Sequence, residues 1–192
     1  MQKTINTMIK KLFIFSVIYF NINLSFAQDI YAFKSGKVNF FAGTPMEDID
    51  ATNSKLTSFI NLKTGEAVIS MFNTDFKFSS SLMQEHFNEN YMESEKFPKS
   101  EFKGKIQNIE TIDLTKSGEY KVKIEGIFTI HGVSKSNIVD AIIVNKNGKI
   151  QVDSKFSIAL ADFKIERPQI VWEKLAENVQ ITLSLNYEAF KK

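Results

Sequence analysis

The sequence contains no cysteine. Disulfides, thiolate metal sites and lipid-modified cysteines are therefore excluded. It has only two histidines, His86 and His131, and neither stands in a metal-ligand spacing such as H-E-x-x-H. On a helix, Glu85 and Glu89 would share one face while His86 would lie about 100° away. We therefore expect no metal, no cofactor and no catalytic residues, and predict that the protein is not an enzyme.

Arginine is almost as rare, because Arg167 is the one arginine in the chain. Its planar guanidinium suits either an ion pair with a nearby acid or the anionic head group of a ligand, and the sequence leaves both open. The chain has 24 basic and 22 acidic residues, but three of the lysines lie among the first 27 residues, which contain no acid. Without that segment the net charge is about −1, and no basic stripe remains that would attract nucleic acid.

The first 27 residues have the order of a secretory signal peptide. Three lysines precede an apolar run from Leu12 to Leu24, and the small-residue site Ser25-Phe26-Ala27 follows. The run is shorter than the roughly 20 apolar residues that a membrane-spanning helix needs. The sequence predicts cleavage after Ala27, one domain over residues 28–192, a periplasmic or secreted location, and no stable membrane insertion.

Beyond residue 28, apolar and polar side chains alternate with a period of two, which is typical of strands with one buried face. The clearest runs are Tyr120–Glu125, Ile150–Leu160 and Val179–Glu188, and weaker ones cover Lys37–Ala42, Leu56–Leu62, Glu66–Phe72, Glu101–Leu114 and Asn137–Asn145. Turn pairs such as Thr64-Gly65 and Asn147-Gly148 separate several of them.

About eight strands joined mainly by short turns form a meander, which can remove its exposed edges by closing on itself. We therefore predict an all-β fold, an eight-stranded antiparallel up-and-down barrel, with a two-sheet sandwich as the alternative. Apolar residues near i, i+4 spacing predict one short helix over Ser80–Met92, behind serines able to cap it. A turn or two of helix is expected over Trp172–Glu177.

The chain has eighteen phenylalanines and six methionines. In a barrel of eight strands, inward-facing apolar residues either fill the interior or form the walls of a cavity for one small ligand. The helix breaks the meander, so we expect the cavity near it, with Leu82, Met83 and Phe87 facing inward. The predicted lining residues are Phe40, Leu82, Met83, Phe87, Phe102, Tyr120, Val122, Ile124, Phe128, Phe156, Ile158, Leu183 and Leu185.

Two ordered segments resemble motifs of the YceI-like family. The first is Ser81-Leu82-Met83-Gln84-Glu85-His86-Phe87 with Glu95-Lys96-Phe97-Pro98-Lys99-Ser100-Glu101-Phe102-Lys103-Gly104, and the second is Gly126-Ile127-Phe128-Thr129-Ile130-His131-Gly132-Val133-Ser134-Lys135. The second is similar to that family's G-x-L-T-x-H-G-V-T-K strand and turn. The resemblance implies a lipocalin-like barrel, usually exported in bacteria, whose interior binds polyisoprenoid-type lipids.

The resemblance is incomplete near the C-terminus. Leu160-Ala161-Asp162-Phe163-Lys164 stands where many relatives have an R-S-D-F-G-like segment, so the arginine and the glycine are missing. We interpret the shared glycines, Pro98 and His131 as architectural residues that shape bends, a strand start and a local hydrogen bond. The departures therefore leave the fold prediction intact and weaken the prediction of the ligand.

The leading functional prediction is an exported, non-enzymatic protein that sequesters or carries an amphiphilic isoprenoid-like lipid in its barrel. Withdrawing the tail from water would supply affinity without a charged contact. The alternative is an exported stress-response or interaction protein whose barrel is filled by its own side chains and whose surface binds a partner. The sequence identifies neither the lipid nor the oligomeric state, and it leaves a dimer open.

Overall fold

The alternating segments form ten strands in a computed structural model that describes residues 30–113, 115–166 and 175–190. Residues 1–29, with the predicted signal peptide, and Arg167 lie outside the described residues. The strands are β1 (Ile30–Phe41), β2 (Asp50–Asn53), β3 (Leu56–Asn61), β4 (Glu66–Phe72), β5 (Lys77–Phe78), β6 (Lys99–Ile106), β7 (Gly118–Ile130), β8 (Val133–Lys146), β9 (Lys149–Ala159) and β10 (Asn178–Ala189).

Eight of these strands close into a barrel. All pairings are antiparallel and run in the order β10, β9, β8, β7, β6, β4, β3 and β1, and β1 pairs with β10 to complete the ring. The first residues of β1 pair with β3, whereas its last residues, from Val38 to Phe41, pair with the short strand β2, and β2 pairs in turn with β5. The meander prediction is confirmed and the sandwich alternative is wrong, because no edge is left between β1 and β10.

The strand boundaries differ from the sequence pattern in two informative places. β1 begins at Ile30, seven residues before the predicted start, and a register shift between Phe33 and Ser35 interrupts its pairing with β10. Such a bulge breaks the period of two and hides the strand. The run predicted over Glu101–Leu114 ends as a strand at Ile106, and a 3₁₀ turn follows at Ile109–Thr111.

A short helix lies over one end of the barrel. Helix α1 (Ser81–His86) continues into a π-helical turn at Phe87–Tyr91, and Met83 donates its backbone N–H to the Ser80 hydroxyl at 3.4 Å. The capped helix predicted over Ser80–Met92 is thus present. Of the second predicted helix only Leu175–Glu177 are described, and they are not helical. Within the described ranges no helix is long and apolar enough to cross a bilayer.

The two ends of the barrel interior differ in packing. At one end Ile106, Ile143 and Ile150 are almost completely buried in the hydrophobic core, and we call this the filled end. Strand register places Ile150 opposite Tyr187 and Ile143 opposite Tyr120 there. The other end, beneath helix α1, contains the cavity described below.

A glycine pair sets the wall between β6 and β7. Gly104 and Gly126 lie opposite each other in the two strands, and the Phe102 ring lies over both. A Cβ on Gly126 would come within 2.5 Å of that ring. The missing side chains therefore allow Phe102 to lie flat along the wall, 4.6 Å from the ring centroid of Phe128.

Candidate ligand-binding site

The barrel encloses an apolar cavity of about 280 Å³ that opens beside helix α1. Its walls combine alternate residues of the barrel strands with the inner face of the helix, as expected where inward-pointing side chains alternate with outward ones. Ten of the thirteen residues predicted as lining border it: Phe40, Met83, Phe87, Phe102, Ile124, Phe128, Phe156, Ile158, Leu183 and Leu185.

The other three predicted lining residues do not border the cavity. Leu82 is 57% exposed, because on α1 it lies about 100° from Met83 and so points away from the barrel. Tyr120 and Val122 belong to the filled end, where Val122 is buried and the Tyr120 hydroxyl donates to the carbonyl oxygen of Asp113 at 2.7 Å. The expectation that Leu82 faces inward is wrong, and alternation along β7 did not reveal how far the cavity extends.

A cluster of four phenylalanines holds the helix over the cavity. Phe87 from the π-helical turn stacks on Phe40 with centroids 5.4 Å apart, and it contacts Phe76 and Phe78 at 5.6 and 5.1 Å. Phe76 and Phe78 were missing from the predicted lining, since they follow a 3₁₀ turn and stand outside any long alternating run. Their shared aromatic character was the one signal that could have identified them.

The Tyr187 hydroxyl, a polar group in the cavity wall, is hydrogen-bonded within the protein. Ser58 donates its hydroxyl to the Val68 carbonyl oxygen at 2.7 Å, and the Tyr187 hydroxyl lies 2.7 Å from the Ser58 oxygen. Because the serine proton is used on the carbonyl, Tyr187 must donate to Ser58. Burial raises the pKa of Tyr187 to about 12, so the phenol stays neutral, and its proton is used in the hydrogen bond to Ser58.

Polar side chains border the cavity at its mouth, which we define by Glu47, His86 and Tyr91. The His86 side chain is exposed, and within the described ranges it makes no hydrogen bond. Burial raises the pKa of Tyr91 above its usual value. The mouth therefore combines polar atoms with solvent access, as a ligand's head group requires.

His131 connects three segments beside the mouth without bordering the cavity. Its Nε2 lies 2.8 Å from the Glu93 carboxylate and its Nδ1 lies 3.1 Å from the Phe163 carbonyl oxygen. The hydrogen bond from His131 is the main reason that the pKa of Glu93 is lowered. The ring is also edge-on to Phe97, with centroids 4.7 Å apart. His131 therefore acts as the local hydrogen-bonding residue that its motif suggested.

The site is an apolar cavity with polar side chains at its mouth. No group of three or more histidine, aspartate or glutamate side chains able to hold a metal ion occurs in the described part of the chain. Seven side chains from the middle of the wall are purely hydrocarbon: Ile124, Phe102, Phe128, Val139, Val152, Phe156 and Leu183. Such a surface withdraws apolar area from water and has no group suited to bond cleavage.

Comparisons with known proteins agree with this geometry. The sequence model of the YceI-like domain matches residues 21–187. A polyisoprenoid-binding domain from Saccharophagus degradans is similar in structure, with a TM-score of 0.73, 15% identity, and coverage of 83% of this chain and 98% of that one. BcnA of Burkholderia cenocepacia has a TM-score of 0.67 and 15% identity, covering 79% and 95%. The YCEI protein of Campylobacter jejuni has a TM-score of 0.56 and 18% identity, covering 72% and 81%. No curated protein sequence matches the chain.

Proposed function

This chain belongs to the YceI-like family, and from that premise we propose that it is an exported, non-enzymatic protein that binds an amphiphilic isoprenoid-like lipid. The observation that carries the proposal is the apolar cavity, which opens at one end. Apart from the mouth, the polar side chains that border it are hydrogen-bonded within the protein: Tyr187 to Ser58, Ser100 to Asn73, Glu101 to Ser70 and Ser154 to the Asp140 carbonyl oxygen. The tail would lie inside the barrel and the head group at the mouth. The structural likeness to a polyisoprenoid-binding domain supports the same class of ligand.

The proposed mechanism is solubilisation. Each methylene withdrawn from water contributes about 0.8 kcal/mol, so a tail of about ten carbons gains about 8 kcal/mol, which is comparable with the cost of association of roughly 4–15 kcal/mol. Burial of the tail is therefore the main source of affinity in this proposal. The alternative of a barrel filled by its own side chains accounts for the filled end but not for the open cavity beneath α1.

Export is the second part of the proposal. It depends on the lysines, apolar run and small-residue site of the first 27 residues. N-terminal sequencing of protein from an envelope or secreted fraction should begin at or near Gln28. Recovery of Met1 in a membrane pellet would contradict export while leaving lipid binding untouched.

Native mass spectrometry with lipid extraction tests the ligand. Protein purified from the envelope or secreted fraction should carry a stoichiometric amphiphilic lipid. Phe128→Trp places extra ring atoms in the cavity wall between Phe102 and Phe156 and should reduce lipid retention, at about 1–3 kcal/mol of overpacking.

The matched control is Val122→Ile, which also enlarges a buried residue of β7 but lies outside the cavity. It should cost stability without changing lipid retention. Equal retention by both folded variants, with loss of binding on substitution of outer-face residues, would replace the interior site with a surface one.

A further inference from the structure

The His131 ring joins three segments that each contribute to the cavity wall. Its Nδ1 lies 3.1 Å from the Phe163 carbonyl oxygen and its Nε2 lies 2.8 Å from the Glu93 carboxylate. The joined segments are residues 92–97, 130–135 and 160–166. Each of them contains a residue that borders the cavity: Met92, Ile130 and Ile165. The contacts of one imidazole therefore tie together three parts of the wall beside the mouth.

Both partners of the ring are hydrogen-bond acceptors. The Phe163 carbonyl has no proton to give, and the Glu93 carboxylate is ionised at neutral pH because its pKa is lowered, mainly by the hydrogen bond from His131. A neutral imidazole has one N–H and one lone pair, so it can donate to one acceptor and must turn its lone pair towards the other. The imidazolium donates from both nitrogens. The observed arrangement therefore requires the cationic form of His131.

The surroundings of the ring make this pairing important. The His131 side chain is only 12% exposed, so water has little access to a nitrogen that loses its partner. Nearby, Lys96 lies 3.6 Å from Glu93, and Lys135 pairs with Asp162 at 3.9 Å. The remaining charged residues of the three segments are exposed: Glu95, Lys164 and Glu166. The ion pair of the ring therefore depends on Glu93.

The backbone is strained at both ends of this ion pair. Glu93 and His131 have φ of +42° and +50°, in the left-handed region that residues other than glycine rarely adopt. Such conformations cost free energy and persist where surrounding contacts hold them. Loss of the contact between Glu93 and His131 removes one restraint on both residues, so the segment of residues 92–97 gains freedom to move away from the ring.

We propose that His131 and Glu93 form a pH-dependent latch beside the mouth of the barrel. The imidazolium holds residues 92–97 against the turn between β7 and β8. When the ring loses one proton to solvent, its lone pair faces the Glu93 carboxylate and the segment moves outward. Histidine side chains titrate between pH 5 and pH 8, so the latch is closed below that range and opens as pH rises through it. Opening speeds the release of a bound lipid, and only this last step rests on the proposed function.

The first test reads the ring and the segment directly. Imidazole nitrogen NMR distinguishes the imidazolium from the neutral tautomers, and His86 is the one other histidine in the chain. At pH 5.5 both nitrogens of His131 should carry protons. From pH 5.5 to pH 8.5 the amides of Ser94 and Phe97, which bond to Asn88 and Glu93 carbonyls, should lose about tenfold in protection after correction for intrinsic exchange, because a hydrogen bond to a charged group is worth about that factor. A neutral ring at pH 5.5, or protection that stays constant, would overturn the latch.

Two variants should remove the pH dependence in opposite ways. Glu93→Gln supplies an amide that donates to a neutral ring nitrogen or accepts from a protonated one, so the segment should stay protected at both pH values. His131→Asn tolerates the left-handed backbone but cannot titrate, so the segment should stay open at both. His86→Gln is the control and should keep the wild-type pH dependence. Retention of that dependence by Glu93→Gln refutes the latch, and this variant decides the matter even if His131→Asn does not fold.

The link to the ligand is tested separately with farnesol, an isoprenoid alcohol, loaded into delipidated protein. Its dissociation rate should rise about tenfold from pH 5.5 to pH 8.5 in wild type and stay constant in Glu93→Gln. A constant rate in wild-type protein whose exchange does change would refute the control of release. Failure of farnesol to bind at either pH would instead count against the isoprenoid function, and the NMR and exchange results then decide the latch alone.

Discussion

Phe87 should be the residue that fixes the helix over the cavity, and Phe87→Ala is the sharpest test of that assignment. The ring contacts Phe40, Phe76 and Phe78 with centroids 5.1–5.6 Å apart. Each aromatic pair contributes about 0.5–1.5 kcal/mol beyond its buried area, and truncating a fully buried phenylalanine costs about 3–5 kcal/mol. Because Phe87 is half-buried, we expect a loss of about 2–4 kcal/mol in the free energy of unfolding.

The effect should be local as well as global. α1 has six residues, and so short a helix is unstable in water without tertiary packing. Urea denaturation measures the global loss in Phe87→Ala. Relative to wild type, hydrogen exchange in this variant should accelerate more for the amides of residues 84–92 than for those of β8 and β9. Lipid dissociation should accelerate, because the segment that covers the mouth opens more often.

Leu82→Ala is the matched control, since it truncates a large apolar side chain of the same helix that is 57% exposed. It should change stability by less than about 0.5 kcal/mol and leave exchange unaltered. Equal losses from Leu82→Ala and Phe87→Ala would show that the aromatic cluster does not position the helix.

Three further predictions concern buried contacts and pH. In urea denaturation Ser58→Ala should cost about 1–3 kcal/mol, because it leaves the Tyr187 hydroxyl buried without a partner. Tyr187→Phe leaves the serine bonded to the Val68 carbonyl oxygen and should cost about 1 kcal/mol or less. The reverse order of the two losses would contradict the assignment of Tyr187 as the donor. The pKa of Glu93 is lowered from 4.5, so the stability that its carboxylate contributes is present above that pH and is lost as pH falls through the folded-state pKa. The difference in unfolding free energy between wild type and Glu93→Gln should therefore shrink from pH 7 to pH 3.5. A constant difference would contradict the role assigned to Glu93. Gly132→Ala should lower Tm more than Gly148→Ala in thermal unfolding. Both glycines have φ near +75°, but only a Cβ at position 132 would lie within 2.4 Å of the Phe97 ring. Equal shifts in Tm would show that the ring can move aside.

The sequence predicts the barrel well because its governing signal is local. Alternation places each side chain on one of two faces, and the turns between strands limit the meander to few topologies. The predicted run Glu66–Phe72 coincides with β4, and the Val179–Glu188 run lies within β10. The short strands β2 and β5 were missed, because runs of four and two residues carry no measurable period.

The lining was predicted less completely because alternation tells inside from outside but not depth. Val122 and Phe128 occupy the same face of β7 and both are buried, yet only Phe128 borders the cavity. The difference comes from neighbours on other strands that fill one end. Leu82 was misplaced for a related reason: a helix of six residues has too few turns for its apolar face to be assigned from spacing alone.

The motif residues explain why family membership predicts the fold more firmly than the ligand. Phe97, His131 and Phe163 come from three segments that resemble the family, and they meet beside the mouth through a ring contact and a hydrogen bond to a backbone carbonyl. None of the three borders the cavity. Gly132 follows His131 with φ of +72° and lies against Phe97, so the turn needs glycine for both backbone and packing. What these residues preserve is the junction that holds the mouth segments together. Most of the cavity wall comes from residues outside these motifs, among them Ile60 and Ala67, so a divergent member can keep the junction and change its ligand.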